Sequence, residues 1–372
     1  MVRILYGVAG EGLGHATRAK AILEQLRGHQ VTLVSSSRAY LYLRRFFPRV
    51  NRIFGFHIVY WNNRVSNLGM FIYNFVRMPL LVYGFLRTFL LALTLRPSII
   101  ITDYEPFTCY TGIFLGIPVL SVNNQHLLNR AWIRHSRRHR WEAFKTRFAN
   151  TLLIPTARHY FITSFSRHPV AARTTLVAPL LRKELQRLQP TIGKHVLVYQ
   201  TSRSNKKLLE LLRLLPERFI VYGFGSRKGT AHVTFKTFDE QAFFHDLATC
   251  KAVITNGGYS LISEAIMLGK PVLAEPVRKQ FEQQLNALLL AQEGYGCCVK
   301  RITVENLIRF LQQLGSYRER LQPLERVDKN EGVVAVAAGI EQLILQASSG
   351  ARQSFVPRPS RGGWTSPSRL RH

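Results

Sequence analysis

Thr255-Asn256-Gly257-Gly258-Tyr259-Ser260-Leu261-Ile262-Ser263-Glu264-Ala265 is the densest run of signals in the chain. It continues through Gly269-Lys270-Pro271-Val272 and Glu275-Pro276 to Gln280-Phe281-Glu282-Gln283-Gln284-Leu285-Asn286-Ala287. The apolar residues ending at Thr255 read as a strand, and the Gly-Gly pair as the turn that closes it. A helix over 261–268 follows, then a second strand at 272–274, then another loop and a helix over 283–293. Strand, loop and helix in repetition is the pattern of a parallel sheet covered by helices. The first helix starts just past the glycines, where free backbone N–H groups and the helix dipole favour an anion. A diphosphate suits that turn, with Asn256 and Gly257 beside it and the N–H groups of Gly258 to Ser260 as donors. Glu264 lies one turn into the helix, within reach of the two hydroxyls of a ribose. Glu282 and Gln283 stand at the next loop, placed for the hydroxyls of a hexose.

The same alternation extends both ways. Strands are expected at 3–6, 31–35, 99–102, 119–122 and 160–163, with helices at 16–27, 40–46, 71–95 and 107–115. The pattern restarts with strands at 196–199, 220–222, 253–255 and 272–274. Its further helices fall at 206–215, 241–247 and 304–314. Pro179, Pro190 and Gly193 mark a linker between the two series. At 372 residues the chain exceeds what one core usually serves. The expected fold is therefore α/β, two Rossmann-like doubly wound domains facing a cleft. Residues 1–190 form the first domain, 191–347 the second, and 348–372 a tail rich in Gly, Ser, Pro and Arg that cannot bury a core.

Gly7-Val8-Ala9-Gly10-Glu11-Gly12-Leu13-Gly14-His15 follows the first strand. Glycines there let the backbone come close to a ligand. A dinucleotide-binding reading fails twice: His15 stands where the third glycine of G-x-G-x-x-G belongs, and Val34-Ser35-Ser36-Ser37 supplies no acid after strand two. His15 at the end of such a loop faces the carboxyl edge of the sheet, where an imidazole accepts protons near neutral pH. Asp103-Tyr104-Glu105-Pro106 closes the strand at 99–102 on the same edge. Asp103 is placed to orient His15 or to share the acid–base work, and both carboxylates also suit a helix-capping turn. Thr201 and Ser202, after the first strand of the second series, are a second candidate phosphate loop. Glu105 and His126 are candidates for the acceptor side.

Charge is the unusual part of the composition: 51 Lys+Arg against 21 Asp+Glu, a formal +30. Such an excess speaks of anionic partners, whether membrane, nucleic acid or a phosphorylated ligand. Seven of the eighteen residues from Arg130 to Arg147 are basic and two are Trp, which suits a membrane interface. The apolar stretch 70–95, interrupted by Arg77 and Arg87, lacks the uncharged length that spanning requires. It reads either as a buried helix or, with the basic run, as a lipid-facing surface. No secretory signal is expected, and the four cysteines have no metal-ligand spacing. These features place the chain in the cytoplasm, peripheral on the inner face of the cell membrane, in a cell-envelope role.

The run 255–287 resembles the donor-binding signature of GT-B glycosyltransferases that use nucleotide sugars. It is similar to the plant-type UDP-glycosyltransferases and to the peptidoglycan N-acetylglucosaminyltransferase that makes the lipid-linked disaccharide. The resemblance implies that Glu264 binds the donor ribose, that Glu282 and Gln283 bind the donor sugar, and that His15 is the catalytic base. Gly14 belongs to the loop it likens to the family's amino-terminal one. Asn256 stands where many plant-type members have His. The activity implied is that of an inverting, metal-independent hexosyltransferase with no cofactor beyond a UDP-sugar co-substrate, acting on a hydroxyl acceptor that is lipid-linked or a glycolipid. No D-x-D run occurs, in keeping with that mechanism. By the same resemblance 1–190 is the acceptor-side domain and 191–347 the nucleotide-sugar donor domain. Two rivals remain open: a UDP-sugar epimerase of the same fold, and a basic nucleic-acid-binding protein.

Overall fold

The computed structural model describes residues 1–57, 59–61, 64–133, 139–200, 206–225, 227–278 and 280–348. The chain divides into two compact units, Met1–Val59 with Ser66–Arg182 and the segment from Lys329, and Tyr60–Val65 with Lys183–Asp328. It opens with β1 (Arg3–Val8), α1 (Leu13–Leu23), β2 (Gln30–Ser35), α2 (Ser37–Leu43) and β3 (Val50–Arg52). A short antiparallel pair, β4 (Tyr60–Trp61) and β5 (Arg64–Val65), precedes α3 (Asn67–Val76) and α4 (Met78–Leu95). Then come β6 (Ile99–Asp103), α5 (Pro106–Phe114), β7 (Val119–Asn123), α6 (Leu127–Arg130), α7 (Arg140–Leu153), β8 (His159–Thr163) and β9 (Thr174–Val177).

The second unit runs α8 (Lys183–Gln186), β10 (His195–Tyr199), α9 (Lys206–Arg213), β11 (Arg218–Tyr222), β12 (Val233–Phe235), α10 (Glu240–Thr249) and β13 (Ala252–Thr255). It continues with α11 (Tyr259–Met267), β14 (Val272–Ala274), α12 (Phe281–Gln292), β15 (Gly296–Cys298), α13 (Val304–Gln312) and α14 (Leu314–Glu325), before α15 (Glu331–Ser348).

Each unit is built on a parallel sheet, ordered β3-β2-β1-β6-β7-β8-β9 in the first and β12-β11-β10-β13-β14-β15 in the second. Helices cover both faces, so the strands are apolar runs buried throughout, as in Ile99-Ile100-Ile101. In each sheet the strand order reverses once, between β1 and β6 and between β10 and β13. A doubly wound sheet binds its ligands outside the carboxyl ends of the strands at such a reversal. His15 and Asp103 flank the first reversal point, and Gln200 and Asn256 flank the second.

Three features depart from the expected layout. The helix expected over 71–95 is two helices broken at Arg77, because Pro79 lacks an N–H and its ring would clash with the carbonyl of Phe75. Helix α15 belongs to the first unit although the sequence placed it with the second. Val336, Ile340 and Leu343 join Ile22, Leu26 and Leu33 in the first unit's core. The chain leaves the first unit at Arg182, eight residues before the expected boundary. The tail beyond 348 lies outside the described residues.

Helices α3 and α4 are not buried, contrary to the buried-helix reading of 70–95. Leu81, Gly84, Thr88 and Ala92 make one narrow inward stripe on α4, close enough that a side chain at Gly84 would meet the Phe54 backbone. The remaining surface is open and apolar: Phe71 is 68% exposed and Leu90 61%. Trp141, Phe144 and Phe148 are likewise exposed on α7, among exposed Arg140 and Arg147. Met78–Leu95 is long and apolar enough to cross a membrane by length and composition alone. Residues 134–138 of the basic run lie outside the described residues.

Candidate active site

In the first unit, β1 delivers the chain at Val8, and the N–H of Ala9 donates to the Asp103 carbonyl (3.0 Å), tying the glycine loop to the end of β6. Gly10 packs so closely on the Ser36 backbone that no side chain would fit. Helix α1 then starts after Gly12, with Gly14 and His15 in its first turn. The His15 ring reaches across to Asp103, with Nδ1 2.7 Å from Oδ1. Two lone pairs would not approach so closely without a proton between them, so Nδ1–H donates to Asp103 and Nε2 is the ring nitrogen left on the other side. The Gln125 amide nitrogen lies 3.4 Å from Nε2, and the Tyr104 ring stacks at 6.3 Å between centroids.

Sequence reasoning missed Arg18. One turn beyond His15 on α1, its side chain is 95% buried and grips Asp103 side-on: Nε donates to Oδ2 (2.8 Å) and Nη2 to Oδ1 (2.5 Å). Nη1 reaches Asn124 Oδ1 at 3.4 Å, and Nη2 stands 3.0 Å from His15 Nδ1. Burial alone would push the Asp103 carboxyl up; Arg18 and then His15 outweigh it and hold the group below the usual carboxylate range. The signal available in the sequence was an arginine spaced three residues from His15, which a helix puts on the same face.

The two acceptor candidates are occupied elsewhere. Glu105 caps α5: its carboxylate accepts from the N–H groups of Phe107 (3.0 Å) and Thr108 (2.7 Å) and from the Thr108 hydroxyl (2.7 Å). Burial raises its pKa despite those bonds. His126 is a core histidine, its Nδ1 3.0 Å from Asn123 Oδ1 and its ring against Tyr160. Burial, with Arg130 second, lowers it to about 4. Both side chains sit inward of the edge where His15 stands. Helix α7 is fastened to that edge by Asn150, which donates to the Gln125 carbonyl (3.0 Å) and accepts from the Tyr104 hydroxyl (2.6 Å).

In the second unit the loops after β10, β13 and β14 are joined by side-chain amides. Asn256 Nδ2 donates to Gln200 Oε1 (3.0 Å) and to the Glu275 carbonyl (3.2 Å). Gln283 Oε1 accepts from the N–H groups of Gly257 (3.2 Å) and Val277 (3.0 Å). Asn286 Nδ2 donates to the Gly257 carbonyl (3.0 Å). Only glycine fits at 257, because a Cβ there would run into the Gln283 backbone carbonyl. At Gly258 the space is open, and α11 starts there with no side chain capping its first N–H groups. Ser260 lies in the first turn and the buried Glu264 in the second, while Glu282 is half-buried at the start of α12. Thr201 and Ser202 lie outside the described residues. The amide lattice of Gln200, Asn256, Gln283 and Asn286 is what the sequence reading did not foresee.

The sequence matches glycosyl transferase family 1 over residues 2–315. An uncharacterized glycosyltransferase of Methanosarcina acetivorans is 23% identical over 404 residues, covering 95% of this chain and 99% of that protein. Among solved structures, Phytolacca americana UGT2 complexed with UDP-2fluoro-glucose and pterostilbene superposes with a TM-score of 0.65 at 15% identity, covering 91% of this chain and 98% of that one. Acinetobacter baumannii MurG gives 0.59 at 15% identity, covering 92% and 100%. Two parallel sheets with helices on both faces, each with its residues gathered at the strand reversal, are the GT-B architecture. The chain therefore belongs to glycosyl transferase family 1, as a GT-B enzyme that moves a sugar from a nucleotide-diphospho-sugar donor to an acceptor.

Proposed function

We propose that the enzyme is an inverting transferase that uses a UDP-sugar and acts at a membrane surface. The backbone N–H groups from Gly258 to Ser260, at the start of α11, hold the diphosphate, aided by Thr201 and Ser202. Glu264 binds the ribose, and Glu282 with the amide nitrogen of Gln283 binds the hexose. His15 Nε2 takes the proton of the acceptor hydroxyl as its oxygen attacks the anomeric carbon. The bond from that carbon to the diphosphate breaks, and the helix N-terminus stabilises the charge that leaves with UDP, without a metal. Asp103 holds the imidazole in the tautomer this requires. Glu105 and His126 take no part.

The observation that carries this reading is the 2.7 Å bond from His15 to Asp103 at the reversal point of the first sheet. Thermal stabilisation by UDP and by a panel of UDP-sugars tests the donor half; a ligand at 100 times its Kd adds about 2.7 kcal/mol. His15→Ala should abolish transfer with UDP stabilisation intact, whereas Glu264→Ala should weaken UDP itself. A panel without any shift on folded protein overturns the reading.

The exposed apolar face of α3, α4 and α7 supports a peripheral position on an anionic cytoplasmic leaflet, with a lipid-linked or glycolipid acceptor reached from there. Helix α4 is held along one side by protein, so it lies on the membrane rather than across it. Arg87, Arg96, Arg140 and Arg147 are exposed on the same helices or at their ends, where each adds about 1 kcal/mol of attraction to an anionic leaflet. Failure to co-sediment with anionic vesicles at low salt would remove this part of the proposal.

A further inference from the structure

We propose that Arg18 is a positioning residue for proton transfer: by neutralising Asp103 it lets the carboxylate orient His15 without holding a proton on it. This rests on His15 being the base. The charged groups that meet the His15 ring are Asp103 from β6 and Arg18 from its own helix; Tyr104 and Gln125 complete its surroundings, among the described residues. A fully buried carboxylate 2.7 Å from an imidazole, left alone, would strongly favour the imidazolium. Such a ring is protonated before the acceptor arrives and has no lone pair to offer.

Arg18 changes that balance in two ways. Its side-on fork occupies both carboxylate oxygens, so the pair it forms with Asp103 has no net charge. Its Nη2, 3.0 Å from Nδ1, also sets a cation beside any imidazolium. Oδ1 still accepts the Nδ1 proton, so the orienting role of Asp103 survives. During transfer the acceptor's proton passes to Nε2 and its O–H electron pair becomes the bond to the anomeric carbon. Nδ1–H stays in place. The imidazolium then faces a guanidinium and a neutralised carboxylate, and it returns its proton to water readily for the next turnover.

The test is histidine NMR on the full chain with 15N-labelled histidine, the His15 signal being assigned by its loss in His15→Gln. In the wild-type protein at pH 7.5 the Nδ1–H tautomer with a bare Nε2 is expected; the Nε2–H tautomer overturns the proposal with no variant needed. In Arg18→Met the His15 titration should move up by at least one pH unit, a tenfold change in proton affinity. In Asp103→Asn, which leaves the arginine unbalanced, it should move down. A folded Arg18→Met protein whose His15 titrates as in the wild type overturns the proposal. No nucleotide enters this measurement, so a failed donor site would show itself separately, as the absence of UDP stabilisation.

Discussion

Acidification should loosen the first unit through two buried histidines. His126 lies behind β7 and His159 opens β8, with exposures of 2% and 3%. Burial first, and Arg130 second, lowers each to about 4. In the unfolded chain both rings titrate near 6.5. Between those limits the unfolded state binds more protons, so the neutral rings stabilise the fold fully above pH 6.5. That contribution is lost as the pH falls toward 4. For such a shift the linkage amounts at pH 5 to about 2 kcal/mol per ring, or on the order of 4 for the pair. In a domain of this size 1 kcal/mol moves Tm by about 2–4 °C, so the pair accounts for a fall of about 8–16 °C between pH 7.5 and 5. Calorimetry across that range measures it. The double variant His126→Gln/His159→Gln keeps a polar partner for Asn123 and Thr175 and cannot titrate. It should lose most of the pH dependence; a fall in Tm as large as in the wild type would refute the reasoning.

Three further outcomes are expected. Gly257→Ala forces the added methyl against the Gln283 carbonyl, so the start of α12 must shift. It should cost about 1–3 kcal/mol and remove the thermal response to UDP. Glu105→Ala removes the α5 cap and should cost about 0.5–2 kcal/mol, with the UDP response unchanged because its carboxylate is engaged by Phe107 and Thr108. Phe71→Ser/Phe75→Ser, at exposed positions on α3, should leave Tm unchanged while weakening binding to anionic vesicles about a hundredfold or more, at about 1.5–3 kcal/mol for each of the two aromatic rings withdrawn from an apolar environment.

Much of the architecture was legible because its signals are local. Glycine-punctuated strands such as the one ending at Thr255, helix starts after Gly12 and Gly258, and long central strands each declare themselves within a few residues. That sufficed for two parallel sheets and for His15 and Asp103 as the residues at the first reversal point. The edge strands β3, β9, β12 and β15 were not read from the sequence, although β14 among the central strands is as short. The break between α3 and α4 was readable from Pro79 and was outweighed by the apolar run around it.

Other properties depend on which distant residues meet. Sequence proximity assigned α15 to the second unit, but its apolar face finds its complement on α1, some three hundred residues earlier, and burial of that face decides where it folds. Glu105 and His126 have the chemistry of a site and stand beside one, yet a helix terminus claims the first and a packed aromatic interior the second. Arg18 has the opposite history: it looks like one more basic residue in a chain with a formal charge of +30, and only the fold shows it buried against Asp103. The sequence by itself determined the sheets, the loops and the chemical groups at their ends. Tertiary structure decided which of those groups the fold itself engages, because hydrogen-bond partners and desolvation are set by neighbours that sequence spacing does not reveal.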